Sequence, residues 1–166
     1  MSGTIYVPDD PARATFEVRM PVDQLTIDEP ELRTKEGSEF PKEVPESAKE
    51  GTRRNMLSEA LLNGAQYPDI TLVSQHIGSP ATAGSPMQAD VQITVRGQPH
   101  SLSVPVVYSF EGPRLIVSGE LPIKQTDLGL TPFSAMLGAL QVQDELRVRF
   151  RIVAREAQIK TGGQPH

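Results

Sequence analysis

Strict alternation of apolar and polar residues is the feature that most narrows what this chain can fold into. Phe16, Val18, Met20 and Val22 alternate with Glu17, Arg19 and Pro21. Ala89, Val91, Ile93 and Val95 repeat the pattern, and Leu102, Val104, Val106, Tyr108 and Phe110 form a third row. Leu115, Val117, Gly119, Leu121 and Ile123 form a fourth, and Leu146, Val148, Phe150, Ile152 and Ala154 a fifth. A period of two places each row on one face of a strand whose other face meets water. Residues 3–8 and 69–77 read as two further strands. Turns at Asp9-Asp10-Pro11, Gly97-Gln98-Pro99 and Glu111-Gly112-Pro113 are short enough for hairpins. Strands joined so tightly must be antiparallel. The fold class is therefore all-β, a barrel or a sandwich rather than an alternating α/β fold.

Three segments break the period. Thr52 is placed to cap a helix over 52–63, with Met56, Leu57, Ala60 and Leu61 as its apolar stripe and Asn63-Gly64-Ala65-Gln66-Tyr67-Pro68 ending it. A short helical turn is expected near 134–140, with Ser134 as its cap. Residues 28–50 hold eight acids and four bases, most of the net charge of −5, and read as a solvated surface. No linker divides the chain of 166 residues, so one domain is expected over 1–155, with a mobile tail at 156–166 rich in Gly and Pro.

The acidic balance disfavours nucleic acid or an anionic membrane surface as the main partner. No apolar run approaches the roughly 18 residues of a membrane-spanning helix. The first ten residues lack the charged and apolar regions of a signal peptide, so the chain read literally is cytoplasmic or already processed. With no cysteine there are no disulfides and no thiolate chemistry.

Catalytic patterns are absent. His76, His100 and His166 have no metal-ligand spacing, and no metal or other cofactor is expected. His76 shares the alternation of Ile70, Leu72 and Ser74, which would point it inward; a hydrogen-bonded structural histidine outweighs a catalytic base there. Ser134 lacks the glycine frame of a nucleophile elbow. Arg147, Arg149 and Arg151 make a basic stripe on one strand face, best read as an ordinary polar exterior and alternatively as an attractor of phosphate or of another chain. Arg53 and Arg54, beside the expected helix start, are weak candidates for an anionic head group. What remains is a tube with an apolar interior. A barrel of about eight strands is near the size at which side chains fill the inside or leave room for one small ligand.

Three blocks resemble the YceI-like family. They are TRRNMLSEALLNGAQYPDITLVSQHI (52–77), VQITVRGQPHSLSVPV (91–106) and SGELPIKQTDLGLTPFSAMLGALQVQDELRVRFRIVA (118–154). In the last, Gln125-Thr126-Asp127, Gly129 and Asp144 sit where the family places its Q-T/S-D run and the acid that starts the following strand. The resemblance implies a lipocalin-like antiparallel β-barrel, exported to the bacterial periplasm, that holds a polyisoprenoid or other long-chain lipid in its lumen and performs no chemistry. Ligand contacts implied for this chain are Phe16, Val18, Met20, Leu72, Ile93 and Val95, then Val104, Val106, Leu115, Val117, Phe150 and Ile152. Met56, Leu57 and Leu61 would close one end.

Relative to that family the chain lacks a signal sequence and a first strand. Seven strands cannot close with first and last antiparallel, so an open slot is expected between Thr4–Val7 and Leu146–Ile152. Either the true start lies upstream, or a partner subunit or the tail fills the slot. The competing reading is a structural barrel with a packed lumen that forms a homodimer through exposed strand edges. An enzyme using His76 as base is the weakest.

Overall fold

The computed structural model describes residues 1–37, 43–80, 82, 84–135 and 138–156. Its strands are β1 (Ser2–Tyr6), β2 (Thr15–Pro21), β3 (Asp69–Ile77), β4 (Met87–Val95), β5 (Gln98–Glu111), β6 (Arg114–Lys124), β7 (Ser134–Ala135), β8 (Leu140–Gln141) and β9 (Glu145–Arg155). Helices α1 (Pro30–Glu36) and α2 (Glu46–Leu57) lie between β2 and β3. Seven strands form one curled sheet in the order β1-β2-β3-β4-β5-β6-β9, every neighbouring pair antiparallel. This is a lipocalin-like barrel. Among the described residues no ladder joins β1 to β9, so the barrel stays open along one seam.

Turn chemistry fixes the register of its middle. Between β4 and β5 the chain reverses in two residues, Arg96 and Gly97, both at positive φ (50° and 70°). That is the type I′ geometry, whose twist matches paired strands. The reversal into β6 uses Gly112 at φ 57° followed by Pro113, the type II′ pattern. The inner face of β4 then reads Met87, Ala89, Val91, Ile93, Val95, all buried. They belong to two clusters that meet at Leu72 and Leu102, one with Val22, Leu62, Ile123, Leu128 and Leu130, the other with Ile77, Val104 and Val106.

Four local expectations are corrected. The turn at Asp9-Asp10-Pro11 is not a tight hairpin: Tyr6 pairs with Thr15, and a 3-10 turn at Pro11–Arg13 fills the connection, its Ala12 N–H held by the Asp10 carboxylate at 3.0 Å. The helix expected over 52–63 runs instead over Glu46–Leu57, so Thr52 lies inside it and part of the acidic segment joins it. Ser58 ends it, because both its backbone N–H and its hydroxyl turn back to the Asn55 carbonyl (3.3 and 2.7 Å). The chain then winds through Asn63, at φ 48°, which carries Leu62 into the core. Near 134–140 Ser134–Ala135 and Leu140–Gln141 pair as strands β7 and β8, so Ser134 is a strand residue rather than a cap; among the described residues between them Gly138 lies in a 3-10 turn, where the expected helical turn falls. Residues 157–166 of the expected tail, His166 among them, and 38–42 of the acidic segment lie outside the described residues.

The fourth correction concerns His76. Pairing between β3 and β4 shifts between Ser74 and His76, a β-bulge that takes up one extra residue. Beyond it the faces exchange. Ile77 is buried, while His76 is exposed and lies opposite Asp90. Ser74 uses the break to accept the Phe16 backbone N–H at 2.9 Å.

The sheet turns a corner within β5, which pairs with β4 over residues 98–106 and with β6 over 107–111. Pro105 at the corner has no N–H to give. Gly119 of β6 faces it: a Cβ there would stand 2.4 Å from the Pro105 carbonyl oxygen and 2.6 Å from the ring of Phe150, its partner on β9. The aromatic ring covers the bare glycine and keeps the strands close. Gly119→Ala is expected to destabilise the protein by about 2 kcal/mol, as overpacking of a filled site does. Urea denaturation would show it as a lower midpoint with an unchanged slope.

Candidate functional site

Because β1 and β9 do not meet, the inner face encloses space instead of filling it. A cavity of about 610 Å³ runs inside the sheet, within the range of small-molecule sites. Alternation supplies its walls. Phe16, Val18 and Met20 of β2, Leu72 of β3, and Ile93 and Val95 of β4 line it. So do Val104 and Val106 of β5, Leu115 and Val117 of β6, and Phe150 and Ile152 of β9. The twelve strand residues named as ligand contacts thus face one space, whereas Phe110 and Ala154 of the same alternating rows do not border it.

Met56, Leu57 and Leu61 do not line it. They are half-buried and pack behind the cluster that contains Val22 and Val95. Leu62 reaches the lumen in their place, together with Leu128 and Leu130. Leu61 falls beyond the early end of α2, in an irregular turn rather than on a helix face, while Met56 and Leu57 stay in the last turn of the helix.

The floor is built by polar groups that alternation does not reveal. The buried Gln125 donates through its side chain to the Gln143 carbonyl at 2.8 Å, and its backbone N–H bonds the Asp144 carbonyl at 2.9 Å. Asp144 accepts the Thr126 N–H at 2.9 Å and the Thr126 hydroxyl at 2.7 Å. These bonds hold the carboxyl below the ordinary aspartate range, the Thr126 hydroxyl foremost. The Gln125 carbonyl in turn accepts the N–H groups of Leu128 and Leu130, both at 3.0 Å. Gly129, between them, is left-handed at φ 68° and lies against the ring of His100, whose Nε2 is buried without a partner among the described residues. The polar clamp therefore sets two leucines into the lumen. Its sequence signal was the Gln125-Thr126-Asp127 run with Asp144.

The seam is where the cavity meets water. Ile5 and Val7 line it from the β1 side, and Leu146 and Val148 from β9. Leu146 and Val148 are lumen residues yet 39% and 38% exposed. Every lining side chain is uncharged except that of Arg151. The rest of the basic stripe is engaged outside: Arg147 and Arg149 reach Glu120 at 3.4 and 3.8 Å, and Arg149 also pairs with Glu36. Arg53 does not mark a helix start. It donates to the carbonyls of Leu25 and Asp23 and fastens α2 to the segment after β2, while Arg54 is exposed. Among the described residues no cluster of side chains is arranged to hold a metal ion.

An antiparallel barrel curled around an apolar cavity defines the class of protein. The chain belongs to the YceI-like domain family, whose sequence model matches residues 1–154. The structure is similar to that of Burkholderia cenocepacia BcnA, with a TM-score of 0.67 at 19% identity over 92% of this chain and 82% of that one. It is also similar to a Campylobacter jejuni YCEI protein, with a TM-score of 0.63 at 12% identity over 95% of this chain and 82% of that one. At these identities the likeness is one of fold. No curated protein matches the sequence significantly.

Because the Asp144 carboxyl titrates low in the folded protein, its contribution to stability is present above the ordinary aspartate pKa of about 3.9 and is lost as pH falls through the lowered folded value. Asp144→Asn is expected to melt below the wild type at neutral pH. The two melting curves should converge as pH falls below about 4.

Proposed function

We infer that the protein holds one long apolar ligand in its lumen, a polyisoprenoid in keeping with its family, and acts as a carrier or store without chemistry of its own. The observation that carries this reading is the lining. A cavity of about 610 Å³ bounded by aliphatic and aromatic side chains, with a single charged residue at its edge, suits a hydrocarbon chain. An apolar chain drawn from water into such a space gains about 0.8 kcal/mol per buried CH₂. Among the described residues that line the lumen there is no paired acid and base and no cluster of metal ligands.

A solidly packed interior is the alternative, and the cavity argues against it. The unpaired edges of β1 and β9 are compatible with strand exchange between copies, which is a separate matter from what the lumen holds.

Native mass spectrometry of gently extracted protein is expected to show one co-purified lipid per chain. After delipidation, wild type should take up squalene, a neutral polyisoprenoid, with one-to-one stoichiometry. Leu72→Trp, which fills the middle of the lumen where the two clusters meet, should lower that uptake at least about tenfold while remaining folded by circular dichroism. Equal uptake by the folded variant would place the lipid somewhere other than the lumen.

A further inference from the structure

Arg151 occupies an unusual place. On β9 the even-numbered residues Leu146, Val148, Phe150 and Ile152 face the lumen, and the odd-numbered arginines face out. Arg151 lies opposite Ser118 on the outer face and still borders the cavity. It can do so because β9 has no neighbour on its far side. A long side chain can lay its methylene stem over a free strand edge and keep its guanidinium at the water boundary. Its neighbours in the stripe are neutralised by Glu120 and Glu36, whereas among the described residues no carboxylate pairs with Arg151. It is the one charged side chain on the lining, and it lies on the strand that forms one side of the seam.

We propose that Arg151 binds the anionic head group, a phosphate or a carboxylate, of an amphiphile whose chain lies in the lumen, with the head emerging through the seam between β1 and β9. The proposal rests on the reading of the lumen as a lipid site and adds the chemistry of the ligand's polar end. The floor is unsuited to that end, because Leu62, Leu128 and Leu130 close it with apolar side chains. At the seam the guanidinium presents a planar fork of donors that matches either oxyanion. Unpaired backbone groups along the free edge of β9 lie beside it.

Calorimetric titration of delipidated protein at pH 8 tests this with three probes of one chain length: hexadecanol, hexadecanoate and hexadecyl phosphate, each below its micelle concentration. Wild type should bind at least one anion about three- to tenfold more tightly than hexadecanol, the scale of one charge-assisted contact at a wet boundary. The preferred anion identifies the head group. In Arg151→Gln that preference should vanish, with hexadecanol affinity unchanged. Arg155→Gln, a change on the same strand at a residue that does not border the cavity, should keep it. Added NaCl should shrink the wild-type preference. Hexadecanol binding with no anion preference, or a preference that survives in Arg151→Gln, overturns the head-group assignment and leaves the lipid site standing. Failure of all three probes to bind overturns both.

Discussion

An antiparallel sheet with an odd number of strands ends on two edges that run in the same direction, and much in this molecule follows from that. β1 and β9 are parallel to one another and share no ladder, so the sheet curls without closing. The inner face must still be kept from water. Part of that task falls to the floor, where the Gln125–Asp144 clamp drives Leu128 and Leu130 inward, and part to Leu62 at the end of the turn after α2. Along the seam no strand among the described residues covers it, and Leu146 and Val148 show apolar surface to both cavity and solvent. Exposed apolar surface rimmed by polar groups marks a place where something binds.

The barrel and its lining were legible in the sequence because alternation is a local property. Each strand declares its buried face whatever its neighbours do, and the twelve strand residues named as ligand contacts border the same cavity. At His76 the local period fails. A bulge inserts one residue without changing composition or apparent period, so the parity of Ile70, Leu72 and Ser74 carries past Ser74 on paper and reverses in the fold. The helix shows a second departure. Thr52 and Gly64 are sound cap residues, but local hydrogen bonds from Ser58 end the helix before Leu61 and Leu62 can share its face.

The seam was legible from the count of seven strands, but the floor was illegible for a different reason. Gln125, Thr126 and Asp144 gain their role by meeting across 18 residues of chain, and no periodicity encodes such a meeting. Family resemblance flagged these positions without saying what they do; the hydrogen bonds show that they set the two floor leucines. Arg151 likewise looked like one member of an exterior stripe. Only the absence of a neighbouring strand makes it a lumen residue.

The central claim is that the lumen, rather than an exposed apolar patch, holds the ligand. Methyl-resolved NMR with unlabelled squalene and protein labelled at Ile, Leu and Val methyls tests it most directly. Intermolecular contacts should appear at Ile93, Val104 and Val106, which line the cavity, and be absent at Val73 and Val107, which are exposed. Contacts confined to exposed methyls, with Ile93, Val104 and Val106 silent, would contradict it.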